Sequence, residues 1–179
     1  MHTDPIFIIA SALAIAVLLA SAATHKVRAP ARFAKQLADY QLLPDSLVRP
    51  SARLIPVLEL VIAFALLVPA CRSWAAWSAA SLIALYATGI GINLWRGRRD
   101  IDCGCAGPDQ AQPLHPILLL RNSVLVGLAL LASVSPIVRD LNVFDGFVTV
   151  AASSVALLIY AAADGLLANS PLLLKLIGR

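Results

Sequence analysis

Two thiols one residue apart, Cys103 and Cys105 with Gly104 between them, are the groups in this chain best equipped for chemistry. Cysteines that close lie near the lower limit of the Cα separation a disulfide accepts, so bridging them closes a small, strained ring. Strain raises the reduction potential, and labile disulfides belong to catalysis or regulation rather than to structure. Gly104, and Gly107 followed by Pro108, supply the backbone freedom and turn chemistry such a ring needs. Arg96, Arg98 and Arg99 just upstream would favour the thiolate, with Asp100 and Asp102 acting against them. Two other readings stay open. Cys103 and Cys105 with His115 could hold copper or zinc, but a third and fourth ligand at ordinary spacing are missing, so no metal is assigned. Inert small residues fit a polar, glycine-rich loop poorly. Cys71 is read as a packed thiol at the far end of an apolar stretch, roughly 25 Å from that stretch's start. It is therefore not expected to pair with the Cys-Gly-Cys segment.

A second group of residues is notable for its surroundings. Glu59 and Arg121 each fall about five residues into an apolar stretch, at a similar depth of roughly 8 Å. Asn93 and Asn122 belong to the same end of the molecule. Ionisable groups in lipid are expensive and are usually paired or functional. Glu59 and Arg121 are therefore expected as partners, either fixing helix packing or forming a polar pocket beneath the thiols. Such a pocket would accept the thiol protons or seat a quinone head group, making a quinone the candidate electron acceptor.

The elements that must position these residues follow from composition. Of the 179 residues, 60% are hydrophobic and 13% charged, against about 45–50% and about 25% in soluble domains. A soluble globule and a disordered chain are excluded. The net charge of +4 has no basic stripe interleaved with aromatics, so no nucleic-acid partner is expected. Apolar blocks at about 6–24, 54–70, 74–95, 116–138 and 147–168 approach the roughly 20 residues a crossing helix needs. Trp74, Trp77 and Trp95 stand where interfacial anchors would. Open sheets leave backbone groups unsatisfied in lipid, and barrel strands would alternate. The expected fold is all-α: one integral membrane domain over residues 1–179, a polytopic bundle of about five transmembrane helices. The first block is read as a retained helix rather than a cleaved signal, because its leading segment lacks Lys and Arg and its apolar run is long.

In the connector 25–53, Phe33, Leu37 and Tyr40 recur at helical spacing while Arg32, Lys35, Gln36 and Asp39 point elsewhere. Pro30 can start that helix and Pro44 can stop it. It would lie in the interface plane of the bilayer. The short turn at Cys71, Arg72 and Ser73 makes its two flanking helices antiparallel neighbours, and the Cys-Gly-Cys loop spans 96–115.

Lys26, Val27, Arg28, Arg32, Phe33, Tyr40, Leu42, Leu43 and Pro44 together resemble the region after the first helix in the methylamine utilisation protein MauE family. The run from Asn93 through Arg99, then Asp102, Cys103, Gly104, Cys105 and Gly107, is similar to that family's Arg-Gly-Arg stretch leading into Asp-Cys-Gly-Cys-Phe-Gly. Glu59 and the Arg121 and Asn122 pair also match positions of the family pattern. Ala106 departs from it, standing where Phe is usual, which puts any aromatic contact there in question while leaving both thiols. The resemblance implies a multi-pass membrane protein, grouped with DoxX-like bundles, that supports maturation of a disulfide-rich client, the methylamine dehydrogenase small subunit. It also implies a thioredoxin-like, MauD-like partner.

The reading that results is a thiol-disulfide redox protein of the bacterial cytoplasmic membrane, in which Cys103 and Cys105 cycle between dithiol and disulfide. Its rival is a non-catalytic membrane chaperone or anchor for a thioredoxin-like partner. Sidedness carries a conflict. Eleven Lys and Arg flank the thiol side, against Arg72 and Arg139 on the other. The positive-inside rule then points the loop to the cytoplasm. A disulfide, and a periplasmic partner, need the oxidising outer face, which is the side favoured here.

Overall fold

A computed structural model of the protein describes residues 3–103 and 112–176, with side chains as far as Asn169. Among the described residues the secondary structure is helical apart from isolated bridges. The helices are α1 (Pro5–Arg28), α2 (Pro30–Asp39), α3 (Asp45–Leu67), α4 (Arg72–Trp95), α5 (Ile117–Ala132) and α6 (Val143–Leu176). Four of them, α1, α3, α4 and α6 over Val143–Asn169, are long and apolar enough to cross a bilayer, and α5 is a shorter apolar helix. The all-helical membrane fold is the expected one.

The boundaries have physical causes. Asp4 caps α1 by accepting from the Ile6 amide at 2.9 Å, and Pro5 follows it, where its missing N–H costs nothing. Asn142 and Asp145 bond reciprocally to each other's amides at the start of α6, a capping box. At the end of α4, Gly97 takes φ 74. The Arg98 amide then bonds Asn93 O at 2.9 Å and the Gly97 amide bonds Leu94 O at 3.0 Å. That pattern is a Schellman motif, whose left-handed position suits glycine.

Several boundaries differ from expectation: α1 runs to Arg28 rather than 24 and α6 to Leu176 rather than 168, and three further ends have shifted. Helix α3 begins at Asp45 rather than near residue 54, running through Pro50 and Pro56 after the Pro44 cap. Helix α5 stops at Ala132, short of 138, and the segment after it forms an isolated bridge with Thr3 instead, Ile137 N donating to Thr3 O at 3.0 Å. Helix α6 starts at Val143 rather than 147 because of its capping box.

Helix α1 is central and packs against α3, α5 and α6, while α4 packs against α3 and α5. Close approach is possible because the core is largely alanine, Ala12, Ala16, Ala63, Ala76, Ala79 and Ala129 among them, keyed by Ile15, Leu19, Leu66 and Ile83. Phe64, Leu85, Phe147, Leu158 and Ile159 are exposed, as residues facing acyl chains would be. Trp74 and Trp95, at opposite ends of α4, are also exposed, in keeping with an anchoring role. Helix α2 lies against α3 with Phe33 buried, so the connector's helical periodicity is real.

Candidate functional site

Cys103 follows α4 and is buried. Its amide donates to Gln112 O at 2.8 Å, and Asp102 bridges Pro113. Asp102 and Cys103 thereby lie side by side with Gln112 and Pro113. Cys105, Gly104, Gly107 and Pro108 lie outside the described residues. Asp102 extends this clasp to α2, accepting from Gln36 Nε2 at 2.7 Å and Arg32 Nη2 at 3.2 Å, and from the Gln112 amide at 3.2 Å. Tyr40, just past α2, donates its hydroxyl to Cys103 O at 3.2 Å.

The guanidinium that reaches the sulfur is Arg121 on α5, with Nη2 at 3.8 Å from Cys103 Sγ. Arg121 pairs with Asp164 on α6 and lies over the Tyr160 ring at 5.7 Å. Gln112 Nε2 donates to the same carboxylate at 3.4 Å. The arginines expected to tune the thiol make other contacts. Arg98 Nη1 donates to Asn93 Oδ1 at 3.3 Å, Arg96 Nη1 donates to Gln41 O at 3.4 Å, and the Arg99 carbonyl accepts from the Leu114 amide at 3.0 Å.

Glu59 does not pair with Arg121. It is fully buried and pairs with Lys26 at the end of α1, and Tyr86 Oη donates to the same oxygen, Oε1, at 2.8 Å. The Lys26 ammonium lies 5.0 Å from the Phe33 ring centroid and 4.9 Å from that of Tyr86. Glu59 Oε2 has no hydrogen-bond partner among the described residues. The expected single polar cluster is thus two. In sequence Lys26 is one of several basic residues beside an apolar block, and Asp164 falls within the block 147–168. A lone acid in a crossing helix was the signal that could have found Asp164.

Asn93 is buried and donates Nδ2 to Gly89 O at 3.1 Å and Tyr40 O at 3.2 Å, joining α4 to the end of α2. Asn122 is buried with Nδ2 unpartnered among the described residues. Cys71 is exposed at the α3–α4 turn rather than packed, because α3 ends at Leu67 and the turn projects from the bundle. No three of His, Cys, Asp and Glu converge into a metal-binding group among the described residues.

Between α2, α3 and α4 opens a cavity of about 410 Å³. Leu37, Leu42, Ile55, Leu85 and Ile90 make it apolar; Lys26, Gln36, Tyr40, Tyr86 and Cys103 contribute its polar and sulfur groups. A thiol with an adjacent cation is a centre for nucleophilic or redox chemistry, here in the wall of a small-molecule-sized cleft.

Comparison with known proteins finds relatives over most of the chain. The chain is 40% identical over 166 residues to the methylamine utilization protein MauE of Methylophilus methylotrophus, covering 92% of this chain and 87% of that one. It is 35% identical over 162 residues to the protein of that name from Paracoccus denitrificans, covering 90% and 87%. With the Methylorubrum extorquens protein of the same name, identity is 38% over 150 residues, covering 82% and 80%. No solved structure matches the chain. The family described as Methylamine utilisation protein MauE matches residues 4–135, a span that takes in α1 to α5, both ion pairs' basic members and the Cys-Gly-Cys segment, and the chain belongs to that family.

Proposed function

We propose that this protein is a membrane thiol-disulfide redox protein in which Cys103 and Cys105 alternate between dithiol and disulfide, serving methylamine utilisation by oxidising a thioredoxin-like partner or a disulfide-rich client. The observation that supports this best is the Arg121 guanidinium 3.8 Å from the buried Cys103 sulfur. A cation there stabilises the thiolate, the nucleophilic form. Asp164 holds the guanidinium in place, and Gln112 donates to that same carboxylate. In the exchange a partner thiolate attacks one sulfur of the Cys103–Cys105 disulfide and displaces the other. The second partner thiol then attacks the mixed disulfide, leaving the partner oxidised and the pair reduced.

The protein acts as a multi-pass component of the bacterial cytoplasmic membrane. Helix α5, at about 24 Å long, joins the four longer helices as a crossing element where the bilayer is locally thin. The thiol loop and α2 then share one face and Cys71 the other. Outward orientation matches the need for an oxidising compartment.

The test is trapping in membranes. Cys105→Ser should accumulate a mixed disulfide between Cys103 and its partner, identified by mass spectrometry. No adduct with either single serine variant, together with full support of methylamine growth by Cys103→Ser, would leave an anchoring role in its place. In intact cells an impermeant maleimide should label the reduced thiol loop; labelling only after lysis would reverse the orientation.

A further inference from the structure

The cavity beside Cys103 is explained neither by exchange with a protein partner, which needs only the loop, nor by helix packing, which would close it. Its polar groups are specific. The Lys26 ammonium lines it, nine-tenths buried, with two of its three hydrogens directed to Glu59 and Tyr86. Behind Lys26 stands the Glu59 carboxylate, fully buried, with Oε2 unpartnered among the described residues. Gln36, Tyr40, Tyr86, Thr88 and Cys103 add its other polar and sulfur groups, the remainder of the wall is apolar, and Leu85 and Leu42 in it are also exposed, the former at 64%. The cleft is therefore open to an apolar molecule arriving through the bilayer.

From these residues we infer that the cavity is the binding site of a lipid-soluble para-quinone, the oxidant that regenerates the Cys103–Cys105 disulfide. The inference rests on the redox reading above. A phospholipid acyl chain would use the apolar wall but not the ammonium or the thiol; a quinone uses all three. One carbonyl accepts the third N–H of Lys26, the ring lies among Ile55, Leu85 and Ile90, and Cys103 faces the ring. Volume agrees, since ligand pockets run from about 300 to 1,000 Å³. In the step, two S–H groups give up two electrons and two protons, an S–S bond forms, and both quinone carbonyl oxygens become hydroxyls of the hydroquinone. Nothing else is consumed.

Gly89 offers a way to fill the site, because a Cβ there points at Tyr40 and Leu42 from 3.4 to 3.6 Å without clash. Purified, reduced full-length protein in detergent is mixed anaerobically with a short-chain ubiquinone, following hydroquinone absorbance and the Cys103–Cys105 link by mass spectrometry. The expected result is one quinone reduced per protein. In steady state with dithiothreitol as reductant, Gly89→Val should raise the quinone KM by about tenfold or more. Leu85→Trp, at an exposed rim position, should do so for a long-chain quinone more than for a short one. Diamide, an oxidant that needs no pocket, gives the reference. Oxidation by diamide but not by quinone, or a KM untouched by both variants, overturns the quinone site and leaves the redox reading standing. Phospholipid retained in the purified protein with no quinone reduction does the same. No disulfide with either oxidant overturns both.

Discussion

Charge is held differently at the two ends of the bundle. At the end carrying the chain start, Arg139 donates to Asp4 at 3.1 and 3.2 Å and to Asp145 at 2.9 and 3.0 Å, both carboxylates engaged through two oxygens. At the thiol end, beside the more exposed Arg32–Asp102 contact, two pairs lie deeper in the bundle, Lys26–Glu59 and Arg121–Asp164, and polar atoms remain over: Glu59 Oε2, Gln112 Oε1 and Asn122 Nδ2 have no partner among the described residues. A fully satisfied, partly exposed cluster fastens α1 to α6. A buried cluster with unused hydrogen-bonding capacity, next to a cavity and a thiol, has more to do than fasten, because burial makes each unmet group costly.

The sharpest way to break this contrast is at Glu59. Glu59→Gln should destabilise the detergent-solubilised protein by about 3–5 kcal/mol, the cost of stranding the buried Lys26 charge, measured by thermal unfolding. Glu59→Leu combined with Lys26→Met should recover part of that loss, whereas Glu59→Gln with Arg121→Gln should be additive, since the two belong to separate pairs. Coupling in the second cycle and additivity in the first would merge the clusters again.

At the thiol itself, Arg121→Gln should slow alkylation of reduced Cys103 by about tenfold through loss of thiolate stabilisation, and Asp164→Asn by less, acting through the arginine's placement. Equal rates in all three proteins would remove Arg121 from the chemistry. Timed iodoacetamide labelling with mass spectrometry reads the result, and exposed Cys71 is the internal standard.

The Arg139 cluster should give the smallest effects. Arg139→Gln should cost less than either buried change, and its cost should shrink as salt is added, because solvent-accessible pairs are screened. The Arg139 guanidinium holds the Asp4 carboxyl below the usual carboxylate range. A lowered pKa contributes stability above that range, which is lost as pH falls through the lowered value, so the loss belongs below about pH 4. Wild type should lose stability there more steeply than Asp4→Asn; parallel acid profiles would show that the clasp contributes nothing.

The elements differ in how plainly the sequence encodes them. Blocks of Ala, Leu, Val and Ile announce α1, α4 and the middle of α6, and the Phe33, Leu37, Tyr40 spacing announces α2, since periodicity is a local property. The start of α3 was hidden because Asp45 to Arg53 is polar and Pro50 reads as a breaker, although an exposed proline early in a helix is tolerated where water can meet the freed carbonyl. Cys103 was legible from motif alone. Its partners were not, because which guanidinium reaches a sulfur depends on how α5 is rotated against the loop. Lys26 and Arg121 are equally basic in sequence, and only packing decides that one serves Glu59 and the other Asp164.

The Asp102 clasp gives the thiol segment a tether as well as a base. Asp102 is joined covalently to Cys103 and by hydrogen bonds to Arg32 and Gln36 on α2, and α2 is one wall of the cleft. Cys103 and that wall are therefore not independent parts: a displacement of the sulfur draws on the same carboxylate that steadies the helix. Cys103 and the cleft wall are in this way mechanically linked through a single side chain.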